Sequence, residues 1–233
     1  MLNQNSIVLT EVLNIKNHLR NLFPQLSAEN ILSLESAGES FIAHKGDLIV
    51  KQNEICKGLL VVVNGKACVK LENKDCENII QFLQAGETFY THEAYLGLTN
   101  RTSCICMETS LIYFLPIEAM KKMISSNPQL MICLMNLASK ESELFEQRAS
   151  NLITLPVKFR FIDSLLTLIK KFGEQKPDHL FIPIKRDEIG SYINASKASL
   201  SRVVTELENS KIIKTSRSGI KVFNSEALTE IQA

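Results

Sequence analysis

Apolar residues recur along this chain in three rhythms. Over residues 9–36 they return every three or four positions, at Val12, Ile15, Leu19 and Leu22 and again at Ile31, Leu32 and Leu34, with Pro24 between the two sets. That spacing predicts two short helices, the second capped by Ser27. From Phe41 to Leu115 the rhythm shortens. Runs at Asp47–Lys51, Leu59–Val63, Ala67–Leu71, Ile79–Leu83, Thr102–Cys106 and Leu111–Leu115 are separated by Gly58, Asn64-Gly65, Asn73-Lys74-Asp75, Gly86 and Gly97-Leu98-Thr99-Asn100, with Gly46 ahead of the first. Short strands with such punctuation predict a compact β-roll or barrel. Asn64-Gly65 suits a two-residue hairpin turn, because both residues tolerate positive φ.

After the strands the helical rhythm returns. Ile117–Ser125 predicts one helix. Pro128 opens a second that runs without a breaker to about Leu155. It carries one seam at Leu130, Leu134, Leu137, Glu141 and Leu144, and another at Ala138, Phe145 and Leu152. Two seams on one long helix point to a helix that packs on its own roll and also pairs with a twin in a homodimer. The expected interface is Leu134, Leu137, Ala138, Glu141, Phe145 and Leu152. The plainer alternative is a helix lying across a large core. Pro156 marks the next boundary. Val157–Phe172 reads as an amphipathic helix, residues 173–177 as a loop, and Leu180–Ile184 as a short strand that Pro183 would place at a sheet edge.

The most informative stretch is Ile184–Glu208, IKRDEIGSYINASKASLSRVVTELE. Ile189, Ile193, Leu200, Val203, Val204 and Leu207 are spaced to lock two helices together, one over about Arg186–Ile193 and one from an N-cap at Ser196 to about Asn209. Gly190 stands where the helices cross, and Asn194 in a turn that calls for positive φ. This is a helix-turn-helix pattern. The second helix would present Ser196, Lys197, Ala198, Ser199, Ser201 and Arg202 to a major groove, where Arg can pair with guanine and Ser with phosphate or base. Lys211 to Phe223 reads as a hairpin wing with Lys214, Arg217 and Lys221 available to phosphates, and Arg186 joins them from the first helix. The bland alternative is a small helical module with basic surface residues.

Composition narrows the classes. The chain has 233 residues, 45% hydrophobic and 22% charged, which is ordinary globular composition with room for one or two domains. The longest apolar run is Leu130–Met135, far too short to span a bilayer. The first 16 residues have no leader-like pattern, so a soluble cytoplasmic protein is expected. The net charge of +1 hides an asymmetry: residues 1–155 hold 13 Lys+Arg against 16 Asp+Glu, residues 156–233 hold 13 against 9. A basic C-terminal part fits a polyanionic partner. The six cysteines form no Cys-x-x-Cys pair, which argues against a zinc or iron–sulfur site, so no metal site is expected. Cys104 and Cys106 would share one strand face and read first as buried hydrophobes. No paired acid and base, nucleophile elbow or phosphate-cradling glycine loop is present, so no enzyme is expected.

The order of roll, long helix and winged helix-turn-helix resembles the CRP/FNR family of bacterial regulators, over nearly the whole chain. The family's glycine signposts resemble Lys45-Gly46-Asp47, Val63-Asn64-Gly65-Lys66 and Ala85-Gly86-Glu87. Gln52-Asn53-Glu54 stands where a Gln-Gly-acid turn is usual, and Asn53 can supply the same left-handed residue. The closest match is Arg186–Leu207. The resemblance implies an α+β chain in three parts: an effector-sensing roll with flanking helices (residues 1–127), a dimerisation helix (128–155) and a winged helix-turn-helix (156–233). It also implies a homodimer on a palindromic operator in double-stranded DNA, under the control of an effector, and RNA polymerase as a further partner.

The resemblance also places an effector region, and there this chain departs from the family. Tyr90-Thr91 stands where cyclic-AMP binders carry the Gly-Glu pair that holds the ribose. Arg101-Thr102 resembles their phosphate-gripping Arg-Ser pair. Phe145 and Glu146 replace the two hydroxyl residues that meet adenine. Cyclic AMP is therefore disfavoured, because a site without its polar partners loses selectivity, and the N-terminal cysteines of the oxygen-sensing branch are missing. Haem stays open as an effector, with His18, His44, His92 and the Cys and Met residues as candidate axial ligands. A thiol switch at Cys104/Cys106 and a pocket filled by Tyr90 and Phe145 stay open too. Ala198 stands where the family's base-reading Glu is usual, whereas Arg202 matches its operator-reading Arg. The rival reading is a sensor of haem or gas, redox state or a modified nucleotide, with little sequence-specific DNA binding.

Overall fold

The computed structural model describes residues 15–73 and 76–232. Val12, the N-terminal stretch read as leader-free and the Lys74-Asp75 turn lie outside the described residues. The chain forms two compact units. The first is built from residues up to 76 and 80–144, the second from residues 77–79 and from 145 onward.

In the first unit, helix α1 covers 15–22 of the described residues and α2 Ala28–Ala37. Ser27 caps α2 by accepting the Asn30 N–H at 3.3 Å, as its position predicts. Eight strands follow: β1 Glu39–Ala43, β2 Leu48–Val50, β3 Gly58–Asn64, β4 Lys66–Asn73, β5 Cys76–Gln84, whose residues 77–79 count with the second unit, β6 Thr88–Phe89, β7 Ser103–Cys106 and β8 Ser110–Pro116. They form two sheets, ordered β1-β8-β3-β6 and β2-β7-β4-β5. Leu59, Val61 and Val63 from β3, Ala67 and Val69 from β4, and Ile112 and Leu115 from β8 are buried in one core, closed by Phe23 and by Leu130, Leu134 and Leu137 of the long helix. At the β3–β4 turn only Gly65 takes positive φ (+94°); Asn64 finishes β3 and its side chain accepts the Gly65 N–H. The expectation of two left-handed residues is corrected to one. Asn53 does supply a left-handed turn, at φ 68°.

Three elements of this unit carry no sequence signal. β1 keeps four of its five residues exposed, so it has no alternating pattern, yet it pairs in register with β8. β6 has two residues. Helix α3, Thr91–Leu96, has six and is bracketed by two left-handed residues, Tyr90 at φ 69° and Gly97 at φ 65°. Helix α4 covers Ile117–Ser126 and the long helix α5 covers Gln129–Thr154, 26 residues or about 39 Å. Among the described residues no helix is long and apolar enough to cross a membrane.

The second unit takes the end of α5, helix α6 Val157–Phe172, β9 Glu174–Gln175, β10 Leu180–Ile182, α7 Arg186–Tyr192, α8 Lys197–Asn209, β11 Ile213–Thr215, β12 Ile220–Val222 and α9 Ser225–Gln232. Its sheet runs β11-β12-β10-β9. Here the edge assignment for β10 is corrected. The residues read as a loop contribute β9, which pairs outside β10, and Pro183 falls one residue past the strand. Phe161, Ile162, Leu165 and Leu168 of α6 are buried, as are Ile189, Leu200, Val204 and Leu207 of the helix pair and Ile213, Ile220 and Val222 of the hairpin.

Candidate DNA interface and effector region

Each part of the helix-turn-helix is held by its own local chemistry. At the start of α7 the Lys185 N–H donates to Glu188 Oε2 at 2.7 Å. At its end the Ala195 N–H donates to the Gly190 carbonyl at 2.9 Å, and Asn194 turns the chain at φ 50°. A Cβ on Gly190 would stand 2.6 Å from Leu200 Cδ2, so this position lets α7 and α8 approach. Ser196 accepts the Ser199 N–H at 3.2 Å and donates to Ser199 Oγ at 3.0 Å. Its hydroxyl is occupied as the helix cap, which changes the role expected of it. Leu200, Val203, Val204 and Leu207 are buried, while Lys197, Ala198, Ser201 and Arg202 are exposed and Ser199 is half-buried. The same exposed face continues to Thr205 and Asn209. Sequence reasoning missed these two, although they lie three and seven residues beyond Arg202, the spacing of one helix face.

The wing is built as the sequence predicts. β11 and β12 pair antiparallel, with Lys214 directly opposite Lys221. Like charges facing each other across a strand pair repel, so the hairpin suits an anion laid over it. Arg217 is exposed at its tip. The base is fastened to α8 by Glu208, whose Oε1 accepts from both the N–H and the hydroxyl of Thr215 at 2.8 Å. Lys158 of α6 pairs with Glu206 of α8 at 2.7 Å. Arg186 is exposed and pairs with Asp187 at 3.3 Å.

In the first unit the structure joins two of the expected effector residues, Tyr90 and Thr102. Tyr90 is 1% exposed. Its hydroxyl donates to the Thr102 carbonyl at 3.0 Å and accepts from Thr102 Oγ1 at 3.1 Å. Its ring stands edge-on to Phe89 at 4.5 Å, and burial pushes its hydroxyl well above the usual tyrosine range. Thr91 is buried and binds a carboxylate from α5: its Oγ1 donates to Glu141 Oε1 at 2.5 Å and its N–H to Glu141 Oε2 at 3.3 Å. Burial raises Glu141 to about 7, against the lowering effect of the Thr91 bonds and with the Glu93 charge adding to the rise. Glu93 is itself buried; His92 Nδ1 stands 3.0 Å from its Oε2 without hydrogen-bond geometry. Arg101 is exposed in the loop before β7. In the second unit, Phe145 is 36% exposed and Glu146 is exposed.

Glu141, Leu134 and Leu137 were expected at a dimer interface, and the structure corrects this. All three are buried by their own chain, because the seam they form faces the roll. Ala138, Phe145 and Leu152 keep part of their surface open. The large apolar side chains left exposed on α5 are Ile132, Met135, Leu144, Phe145 and Ile153. The cysteines at 56, 68, 104, 106 and 133 are buried and form no disulfide among the described residues. Burial raises the Cys104 and Cys106 thiols, which disfavours the reactive thiolate form there. The His18 ring bonds the Val63 carbonyl at 3.0 Å, His44 is exposed, and no cluster of three metal-ligating side chains occurs among the described residues.

Comparison with known proteins gives each unit a domain kind. Residues 42–127 match the cyclic nucleotide-binding domain and residues 160–231 the Crp-like helix-turn-helix domain. The cAMP-activated global transcriptional regulator CRP of Salmonella typhimurium is 24% identical over 184 residues, 75% of this chain and 85% of the relative. Among solved structures, FixK2 from Bradyrhizobium japonicum superposes with a TM-score of 0.72 at 18% identity, covering 84% of this chain and 98% of that one. The c-di-GMP responsive global regulator CLP of Xanthomonas campestris gives 0.75 at 15% identity, covering 85% and 100%. A roll of the cyclic nucleotide-binding kind followed by a long helix and a Crp-like helix-turn-helix places this chain in the CRP/FNR family of transcription regulators.

Proposed function

We propose that this protein binds double-stranded DNA as a homodimer in the cytoplasm. It reads a palindromic operator whose half-sites lie about one helical turn apart, and it acts on transcription through RNA polymerase, without catalysis of its own. The observation that carries the reading is the surface of the second unit. Lys197, Ser201 and Arg202 stand exposed on one helix, and Lys214, Lys221 and Arg217 lie on the adjoining wing. Arg202 and Ser201 are the candidates for base contact, and the wing residues and Arg186 for phosphate contact. Ser196 and Ser199 serve as the cap that aims the helix. Dimerisation is assigned to the exposed face of α5 at Ile132, Met135 and Ile153, which lies opposite the buried seam, because an apolar stripe on a long helix is covered best by its twin.

The effector of this reading is not cyclic AMP. Tyr90 is packed into the roll where a ribose contact would need open backbone, and Thr91 is already bound to Glu141. The test is selection of binding sequences from a random DNA library by the purified full chain, with and without cyclic AMP. An inverted repeat recovered equally in both conditions is expected. Recovery only with cyclic AMP overturns the effector reading. No enrichment under either condition, together with a monomer in sedimentation, overturns the function and favours a sensor module that does not read DNA.

A further inference from the structure

In the second unit Arg148 of α5 is half-buried. Arg148 Nη2 donates to two backbone carbonyls, Tyr192 at 2.7 Å and Ile79 at 2.8 Å. Its guanidinium carbon also lies 4.6 Å from the centre of the Tyr192 ring. The Ile79 N–H donates to Ser191 Oγ at 3.0 Å, so residue 79 is held at both its backbone N–H and its carbonyl. Three segments remote in sequence meet here: residue 79, residue 148 and residues 191–192. All of them belong to the second unit.

Tyr192 is the last residue of α7. Its carbonyl belongs to the negative end of that helix, which a cation stabilises. The next four residues are Ile193, Asn194, Ala195 and the cap Ser196, the turn that sets the direction of α8. Arg148 therefore grips α7 immediately before that turn. A planar guanidinium can span two carbonyls and lie on a ring at once. Both bonds are partly shielded from solvent, and a charged donor makes each stronger than a bond between neutral groups.

We propose that Arg148 is a positioning residue for operator recognition. It fixes the angle between the end of α5 and the helix-turn-helix. In a dimer joined along α5, it thereby fixes the separation of the two recognition helices. This rests on the DNA-binding reading above, and it assigns Arg148 no contact with DNA.

The test compares the full-length parent with Arg148→Gln and Arg148→Lys on two duplexes made from the selected sequence, one with the inverted repeat and one with a single half-site. Arg148→Gln is expected to lose about tenfold in affinity for the repeat, to keep its half-site affinity within about twofold, and to accept a wider range of half-site spacings. Arg148→Lys keeps the charge without the planar fork, and only partial recovery is expected. Equal loss on both duplexes makes Arg148 a folding residue and overturns the proposal, as does no loss on either. Hydrogen exchange of the free protein gives a second readout. Amides 189–196 should exchange faster in Arg148→Gln while the core of α8 stays protected, and unchanged exchange also overturns the proposal. If the parent selects no DNA, the underlying reading falls, and the exchange result alone decides whether Arg148 holds the turn.

Discussion

At the scale of single residues, burial decides which groups answer to pH and which can meet a partner. The Glu141 carboxyl titrates near its ordinary 4.5 in the unfolded chain and at about 7 in the folded one. Between those values the folded state keeps a proton that the unfolded state has lost. Stability is therefore unaffected below about pH 4.5, falls as pH rises through the window, and carries the whole penalty above 7, on the order of 3 kcal/mol. Glu141→Gln should flatten this part of the curve, seen as a parent melting temperature that drops relative to the variant between pH 5 and 7.5. Parallel curves would show that Glu141 does not titrate there. Arg202 is the opposite case, exposed and free of any fold-bearing contact. Arg202→Ala should leave the melting temperature unchanged and cost about 1–3 kcal/mol of operator binding, with relaxed preference at one base pair. Competition between the selected operator and its single-base variants measures this, and an unchanged affinity removes Arg202 from the reading set. Arg202 was legible in the sequence because its neighbours fix the helix phase. Glu141 was placed wrongly, since a carboxylate at a seam position reads as interface until its partner Thr91, 50 residues away, is seen.

At the scale of elements, length governed what the sequence disclosed. α5, α6 and α8 each repeat an apolar stripe over three or more turns, and their observed bounds lie close to the predicted ones. α3, β6 and β9 have two to six residues, too few for a period to register. The wing was legible from two apolar runs around a Gly219 turn, but the register that sets Lys214 against Lys221 belongs to the sheet. That register bears a prediction. Lys214→Ala and Lys221→Ala should each weaken binding to all DNA sequences alike and reduce the slope of log affinity against log salt by about 1. Titrations at several salt concentrations read the slope, and a variant with the parental slope makes no phosphate contact.

At the scale of the whole molecule, assembly depends on which face of α5 each unit leaves open. Met135 and Ile132 are exposed, so a charge there should cost little in folding. The double variant Ile132→Lys, Met135→Lys is expected to sediment as a monomer at micromolar concentration and to lose at least tenfold in operator affinity, while its helix content is retained. A dimer that survives both charges would move the interface elsewhere. The sequence by itself determined the order of the parts, the helix-turn-helix with its cap and crossing glycine, and the basic side that the second unit turns outward. These are properties of local spacing, which any stretch of chain carries with it. The tertiary structure alone decided that Glu141 faces Thr91, that Tyr90 is buried among the roll's own side chains, and that Arg148 bridges Ile79 and Tyr192. Those facts join residues between 12 and 69 positions apart, and a separation of that size is closed by packing of the core, which leaves no periodic trace in the chain.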